Sequence, residues 1–202
     1  IPGPDGIFVD LSAGTGALGA AGDTFTGIED VVGSAFADLV GGDDGANKLS
    51  GGIGEDLLFG GKGNDVLDGG ADVDSIKGGG GADTMTGATG DDTFSFLNYV
   101  ADADADSGVG VGLRDIITDF DQGNDKISLS AIDSSLGLAG DQAFLFNGTG
   151  AFFVPVTFNG QVRFDNIGGN TIIQVDREGD GNSTADFEIE LTGLFTLVAG
   201  DF

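Results

Sequence analysis

The sequence predicts an all-β protein in which a parallel β-roll is capped by a C-terminal antiparallel β-sheet or sandwich region. A nine-residue unit repeats seven times between Gly33 and Ser95. Glycine supplies 40 of the 202 residues, and 34 acidic residues face only 7 basic ones. After the repeats, β-branched and aromatic runs replace the glycine and aspartate rhythm. We therefore expect N-terminal capping coils over residues 1–32, the roll over 33–95 and a C-terminal β cap over 96–202.

The repeat keeps three positions in phase without insertion or deletion. Position one is always glycine, position six is aspartate in six units and Asn47 in the other, and position eight is always apolar. Six residues of each unit predict a turn, and three predict a short strand whose middle side chain points inward. Two units then make one coil of 18 residues. The inward residues stack into an apolar column, comprising Val40, Leu49, Leu58, Leu67, Ile76, Met85 and Phe94.

Alternate units place their position-six side chains on the same side of the roll, which gives two ladders. Carboxylates stacked about 4.8 Å apart would repel one another unless a cation lay between them. Calcium suits such a place because it accepts six or more oxygen ligands. The gaps within the two ladders predict about five calcium sites. One ladder holds Asp38, Asp56, Asp74 and Asp92, and the other holds Asn47, Asp65 and Asp83.

The composition excludes several classes of function. A formal net charge of −27 opposes binding to nucleic acid or anionic lipid. No apolar stretch approaches the ~18 residues of a membrane span. The sequence contains neither His nor Cys, so the usual zinc ligand sets and a Ser-His-Asp triad cannot form within it. We expect the chain itself not to be an enzyme and to be part of a larger polypeptide with a domain upstream of Ile1.

The units resemble the RTX calcium-binding repeat, whose pattern is G-G-x-G-x-D-x-U-x. Those beginning at Gly51, Gly60 and Gly78 match its first six positions in full, whereas the others replace at least one motif glycine. The resemblance implies calcium ligation by position-six side chains and turn carbonyls. The implied ligands are Asp38, Gly51, Ile53, Gly54, Asp56, Gly60, Lys62, Gly63, Asp65, Asp74, Gly78, Gly80, Gly81, Asp83 and Asp92, with Asn47 as a further candidate. The replaced glycines are at Ser34, Phe36, Asp43, Asp72 and Ala88.

The region after the roll resembles the C-terminal domain of serralysin-type metalloproteases and the R-modules of mannuronan C5-epimerases. The resemblance lies in the segments RDIITDF from Arg114 and GNDKISLS from Gly123, and in the C-terminal residues 187–202. It implies a cap on the roll followed by an uncleaved signal for type I secretion. The implied partner is the type I secretion apparatus, and the implied location is outside a bacterial cell or on its surface.

Further acidic residues are candidate calcium ligands outside the roll. Asp119 and Asp125 lie in the segment that resembles the serralysin-type domain. Another group is spaced like an oxygen-ligand calcium loop, but Phe187 stands where an EF-hand loop would carry its final Glu. That group therefore predicts either a calcium loop or an acidic hairpin turn. Its members are Asp176, Glu178, Asp180, Asn182 and Asp186.

These features together predict that calcium binding and folding are one coupled event. Such a module would support type I secretion and the extracellular stability of a larger protein. Two alternatives remain open from the sequence: a structural module of an adhesin or surface-layer protein, and the C-terminal domain of a secreted metalloprotease or polysaccharide-modifying enzyme. Glycan binding along the roll is a further possibility that the epimerase resemblance raises.

Overall fold

The computed structural model describes residues 6–18, 22–97, 107–132, 144–146, 148–149, 160–176 and 185–202. Within these ranges the chain forms β-strands and a single-turn 3-10 helix at Ala199–Asp201. No helix in the described ranges is long and apolar enough to cross a membrane. In chain order the strands are β1 (Ile7–Asp10), β2 (Thr15–Leu18), β3 (Asp30–Val32), β4 (Leu39–Gly41), β5 (Lys48–Ile53), β6 (Leu57–Lys62), β7 (Val66–Ala71), β8 (Ser75–Gly80), β9 (Thr84–Thr89), β10 (Thr93–Leu97), β11 (Asp115–Ile117), β12 (Lys126–Ala131), β13 (Leu145–Phe146), β14 (Gln161–Ile167), β15 (Asn170–Asp176) and β16 (Phe187–Leu191).

The strands form two sheets that share the coils of the roll. One sheet has the order β12-β10-β8-β6-β4-β1-β2, and the other has the order β13-β14-β15-β16-β11-β9-β7-β5-β3. Successive strands from β3 to β12 alternate between the sheets, and neighbouring strands of this set are parallel. Leu58 pairs with Ile76 in one sheet, and Leu49 pairs with Leu67 in the other. This register confirms the predicted β-roll, with one strand from each coil in each sheet.

The apolar column forms the core of the roll and continues beyond the repeats. All seven position-eight side chains are fully buried, because the inward side chain of each short strand is covered by the coils on either side. Val9 pairs with Val40 at one end of the column. At the other end Phe94 pairs with Ile127, which is also fully buried. Strands outside the nine-residue repeat therefore prolong the same core.

The antiparallel part of the fold continues one sheet of the roll edge to edge. Strands β14, β15 and β16 form an antiparallel meander, and β16 pairs in parallel with β11. Ile117 of β11 lies between Met85 and Leu191, and all three side chains are fully buried. The expected C-terminal antiparallel region is thus confirmed, and it joins the roll through main-chain hydrogen bonds.

The C-terminal residues pack against the last turn of the roll. The rings of Phe120 and Phe195 meet edge to face with centroids 5.7 Å apart. The side-chain amide of Gln122 donates a 2.8 Å hydrogen bond to the carbonyl of Thr196. Phe202 packs on Phe146, with ring centroids 5.5 Å apart. These contacts hold the C-terminus beside the end of the ladder that contains Asp125.

Candidate metal sites

Hydrogen bonds from the main chain to carboxylates link the coils along both predicted ladders. The N–H of Asp38 donates to Oδ1 of Asp56 at 2.8 Å, and the N–H of Asp74 donates to Oδ1 of Asp92 at 2.9 Å. The second ladder repeats this pattern, with a 2.8 Å bond from the N–H of Asp65 to Oδ1 of Asp83. The position-six side chains of the repeats are all buried. Each carboxylate therefore has one oxygen committed to the coil that precedes it.

Both ladders continue beyond the nine-residue repeat. The N–H of Asp92 donates to Oδ1 of Asp125 at 2.9 Å across 33 positions. The N–H of Asp83 donates to Oδ1 of Asp115 at 2.8 Å across 32 positions. Asp125 was among the sequence candidates, whereas sequence reasoning missed Asp115. The signal that could have found Asp115 is an apolar residue two positions later, Ile117, which repeats the spacing of positions six and eight.

The second carboxylate oxygen has a different environment in the middle of the ladders. Oδ2 of Asp56, of Asp65 and of Asp74 is buried and accepts no hydrogen bond from the part of the chain that the structure describes. Leaving a buried carboxylate oxygen without a partner costs free energy, so such an atom requires compensation. These three oxygens are therefore candidate ligands for a cation in the roll.

The position-one glycines leave open the space that these oxygens face. A Cβ atom built on Gly51 would lie 2.2 Å from Oδ2 of Asp56 and 2.6 Å from the carbonyl oxygen of Gly69, one coil further on. A Cβ atom on Gly60 would likewise lie 2.4 Å from Oδ2 of Asp65 and 2.3 Å from the carbonyl oxygen of Gly78. A carboxylate oxygen and a carbonyl oxygen thus converge from adjacent coils. This convergence explains why position one is invariably glycine.

Main-chain oxygens are needed to complete such a site. Within the described ranges, no three acidic side chains come together as a metal-binding group. Calcium accepts main-chain carbonyls together with carboxylates and tolerates irregular geometry, whereas magnesium demands a tighter octahedron. The mixed oxygen set beside Gly51 and Gly60 therefore fits calcium.

The turns keep one backbone conformation through most of the roll. Glycines at positions two and four have positive φ, for example +109° at Gly61 and +103° at Gly63. Asp72 and Ala88 stand at these positions with φ of +80° and +68°, so their turns retain the conformation at the cost of backbone strain. In the first two units, Ser34 and Asp43 at position two and Phe36 at position four do not have positive φ.

The first two turns consequently bond to their own position-six side chains. The N–H of Ser34 donates to Oδ2 of Asp38, and the N–H of Asp43 donates to Oδ1 of Asn47 at 2.8 Å. The turn at the other end of the first ladder behaves in the same way, because the N–H of Asp121 donates a 2.8 Å hydrogen bond to Oδ2 of Asp125. We call these three turns the closed turns.

Burial raises the pKa values of the ladder carboxylates. The pKa of Asp74 rises to about 7 from an ordinary value of 3.8, because the side chain is desolvated and because Asp56 and Asp92 are negatively charged neighbours. Burial also raises the pKa of Asp125. At neutral pH the metal-free ladder is therefore strained by charges that burial disfavours. The pKa values of Asp56, Asp65 and Asp92 are raised in the same way, to about 6.

The remaining sequence candidates lie in several different environments. The carboxylate of Asp119 accepts hydrogen bonds from the N–H groups of Gly87 and Ala88, at 3.0 and 2.7 Å. Asp176 is buried at the end of β15, and the N–H of Asp186 donates to the carbonyl of Val175 at 2.7 Å. The carbonyl of Gly80 accepts a 2.8 Å hydrogen bond from the N–H of Gly63. Glu178, Asp180 and Asn182 lie outside the described residues.

A buried ion-pair network joins the second ladder to the C-terminal sheet. Nη1 of Arg114 lies 3.1 Å from Oε2 of Glu188, and Nε of Arg114 lies 3.3 Å from Oε2 of Glu190. Glu188 also accepts hydrogen bonds from the side chain of Gln174 and the N–H of Gly110. Because Arg114 directly precedes Asp115, this network fixes the end of the ladder against β16.

Comparison with known proteins identifies the repeat. The model of the RTX calcium-binding nonapeptide repeat, which spans four copies, matches residues 23–58, 41–76 and 59–94. The chain is 28% identical to the AlgE6R2 subunit of the Azotobacter vinelandii mannuronan C5-epimerase, covering 82% of this chain and 89% of that one with a TM-score of 0.36. It is also 28% identical to the AlgE6R3 subunit, covering 83% of this chain and 73% of that one with a TM-score of 0.32. No curated protein sequence matches the chain. The chain therefore carries RTX calcium-binding nonapeptide repeats within residues 23–94.

Proposed function

We propose that this chain is a calcium-binding module of a secreted bacterial protein, and that calcium binding and folding are one event. The observation that carries the proposal is the set of buried Oδ2 atoms on Asp56, Asp65 and Asp74, which accept no hydrogen bond in the described ranges. Each belongs to a carboxylate whose burial raises its pKa. A cation between adjacent coils removes both penalties at once.

The ligands come from turns that face each other across one coil. Asp56 and Asp65 would contribute carboxylate oxygens, and the carbonyls of Gly69 and Gly78 approach the same space from the next coil. Bound calcium would neutralise the ladder and tie neighbouring coils together. The chain's own residues hold the coils in register through the hydrogen bonds from each position-six N–H.

The proposed coupling follows from the strength of extracellular calcium sites. Such modules bind calcium with Kd of about 10⁻⁴–10⁻³ M. An ion present at about 10 to 100 times its Kd stabilises the folded state by about 1.4–2.7 kcal/mol. A few such ions match the 5–15 kcal/mol that typically separates a folded domain from its unfolded chain. Where calcium is far below Kd, this stabilisation disappears while the repulsion among charges that sum to −27 remains.

This dependence suits export by the type I secretion apparatus. The chain would pass the exporter unfolded, fold in extracellular calcium and then stabilise the rest of its polypeptide. Catalysis would belong to another domain, because the chain has no His or Cys and its buried position-six aspartates build the ladders. The proposal therefore assigns this chain a role in export and stability.

Circular dichroism tests the coupling directly. The chain should give an unfolded spectrum in chelator and a β spectrum in millimolar calcium, while magnesium at the same concentration should not replace calcium. A β spectrum that chelator leaves unchanged would contradict the proposal. Export is a separate measurement, in which a passenger fused ahead of this chain is co-produced with a type I exporter. The passenger should reach the medium, and removing residues 187–202 should keep it inside the cell.

A further inference from the structure

We infer that calcium is confined to three of the five gaps between repeat turns, and that the two remaining gaps are closed by hydrogen bonds and take no ion. This inference rests on the proposed calcium function and specifies which turns serve it. The three open gaps lie between Asp56 and Asp74, between Asp65 and Asp83, and between Asp74 and Asp92. The two closed gaps lie between Asp38 and Asp56 and between Asn47 and Asp65.

The state of each gap depends on the position-six side chain of the earlier turn. Oδ1 of this side chain faces the preceding coil, as in the 2.8 Å bond from the N–H of Asp38 to Asp56. Oδ2 faces the following coil, as in the approach of Asp56 to the carbonyl of Gly69 beside Gly51. The atom that faces the following coil therefore decides whether an oxygen is available in the gap.

That atom is available in three turns. Oδ2 of Asp56, of Asp65 and of Asp74 is buried and has no hydrogen-bond donor among the described residues. Each of these turns has glycine at position two with a φ between +109° and +111°, at Gly52, Gly61 and Gly70. This conformation leaves the carboxylate oxygen without the position-two N–H as a donor.

The same atom is already occupied in the first two turns. Asp38 accepts the N–H and the hydroxyl of Ser34, and its Oδ1 also accepts the N–H of Ile7 at 2.6 Å. Asn47 carries no charge, and its oxygen accepts the N–H of Asp43. A cation in either gap would have to displace donors that already satisfy these oxygens. The closed turn at Asp125 repeats this arrangement where the first ladder ends.

The residue at position two is thus the determinant of calcium binding. Ser34 and Asp43 replace glycine there, do not take positive φ, and donate their N–H groups to the position-six side chain. Asp38 retains the motif carboxylate yet lies in a closed turn, so the carboxylate alone does not define a site. The closed turns would form ends of the roll that need no metal.

Calcium stoichiometry tests the inference with paired variants. Isothermal titration calorimetry and native mass spectrometry should count the ions bound to the 202-residue chain and to each variant. Asp56→Asn should bind one ion fewer than the wild-type chain, because it removes the charge from an open gap. Asp38→Asn should bind as many ions as the wild-type chain, because its gap is closed. The loss of an ion from Asp38→Asn, or no loss from Asp56→Asn, would overturn the inference.

Gain-of-site variants give an independent result. Ser34→Gly with Phe36→Gly creates the motif GGAGAD, and Asp43→Gly with Asn47→Asp creates GGDGAD. Each double variant should bind one ion more than the wild-type chain and fold at a lower calcium concentration. Double variants that fold in calcium but bind no additional ion would refute the role of position two. A wild-type chain that binds no calcium would refute the proposed function itself.

Discussion

The backbone N–H of Asp56 donates a 2.8 Å hydrogen bond to Oδ1 of Asp74, the corresponding residue one coil further along the roll. The other oxygen of Asp74 is buried and has no hydrogen-bond partner in the described ranges. One side chain therefore joins two coils through one atom and offers a ligand through the other. The two roles can be separated by substitution, because asparagine keeps an acceptor but loses the charge.

Asp74→Asn should raise the calcium concentration needed for half-maximal folding. The variant loses a charged ligand, and each ion lost at 10 to 100 times its Kd removes about 1.4–2.7 kcal/mol of stability. Calcium titrations followed by circular dichroism would measure the shift. Asp68→Asn is the matched control, because Asp68 is an exposed carboxylate in the same coil and its loss should change stability by less than about 0.5 kcal/mol. Equal calcium midpoints for the two variants would contradict a ligand role for Asp74.

The metal-free roll should become less stable as pH rises. The ladder carboxylates have pKa values of about 6 to 7 in the folded state against 3.8 ordinarily, so the folded state binds protons more tightly than the unfolded chain. The stabilisation is complete below pH 4 or so and is lost as pH approaches about 7. Circular dichroism in calcium-depleted buffers across this range would measure it, because the folded fraction should rise as pH falls towards 4 or so.

Calcium should reverse that trend, because protons and calcium compete for the same carboxylates. The calcium concentration at the folding midpoint should fall as pH rises from about 5 to 7. Folding that is independent of pH in both conditions would show that the raised pKa values play no part in stability.

Gly60→Ala should destabilise the roll, although replacing glycine with alanine usually stabilises a folded protein. Its Cβ would lie within 2.4 Å of Oδ2 of Asp65 and of the carbonyl oxygen of Gly78. Forcing these atoms apart should cost about 1–3 kcal/mol, as overpacking does in protein cores. Urea denaturation in saturating calcium would measure it. The control is Gly41→Ala, whose Cβ would approach no atom closer than 3.7 Å and whose φ is not positive. Comparable losses in the two variants would refute the steric explanation.

Arg114→Ala should weaken the attachment of the C-terminal sheet. Arg114 and Glu188 are both buried, so the substitution leaves carboxylates without their cation and should cost about 3–5 kcal/mol. Arg163→Ala breaks a more exposed pair with Asp165 and should cost at most about 1 kcal/mol. Denaturation at saturating calcium would compare the variants. If Arg114→Ala lowered the free energy of unfolding by no more than Arg163→Ala, the network would not be what attaches the C-terminal sheet.

The repeat made the roll predictable from sequence, because a fixed period assigns the same environment to residues 18 positions apart. The pairing of Leu58 with Ile76 could be predicted from position eight, and the contact of Asp56 with Asp74 could be predicted from position six. The place of Asp115 in the second ladder could not be predicted in this way, because its coil is longer and places it 32 positions from Asp83. A search for a constant period cannot detect a ladder member after an insertion.

Two further features depend on information that local sequence does not carry. Ser34 and Asp43 were visible as departures from the motif, but the closure of their turns depends on the sign of φ and on which atom receives the N–H. The pairing of β16 with β11 was hidden because strand patterns predict which face is buried and not which strand lies alongside. Arg114 showed no periodic signal, and its role emerges only when Glu188 lies beside it.

The hydrogen bonds between position-six residues span only 18 positions, and this has a consequence for how the molecule assembles. Each completed coil presents a template on which the next can wind, so growth can advance along the chain as a moving front. The C-terminal meander lacks such a template, because Gly110 and Glu188 must meet across 78 positions. We therefore expect docking of the meander to be a distinct and slower closing step, for which the wound coils provide the edge.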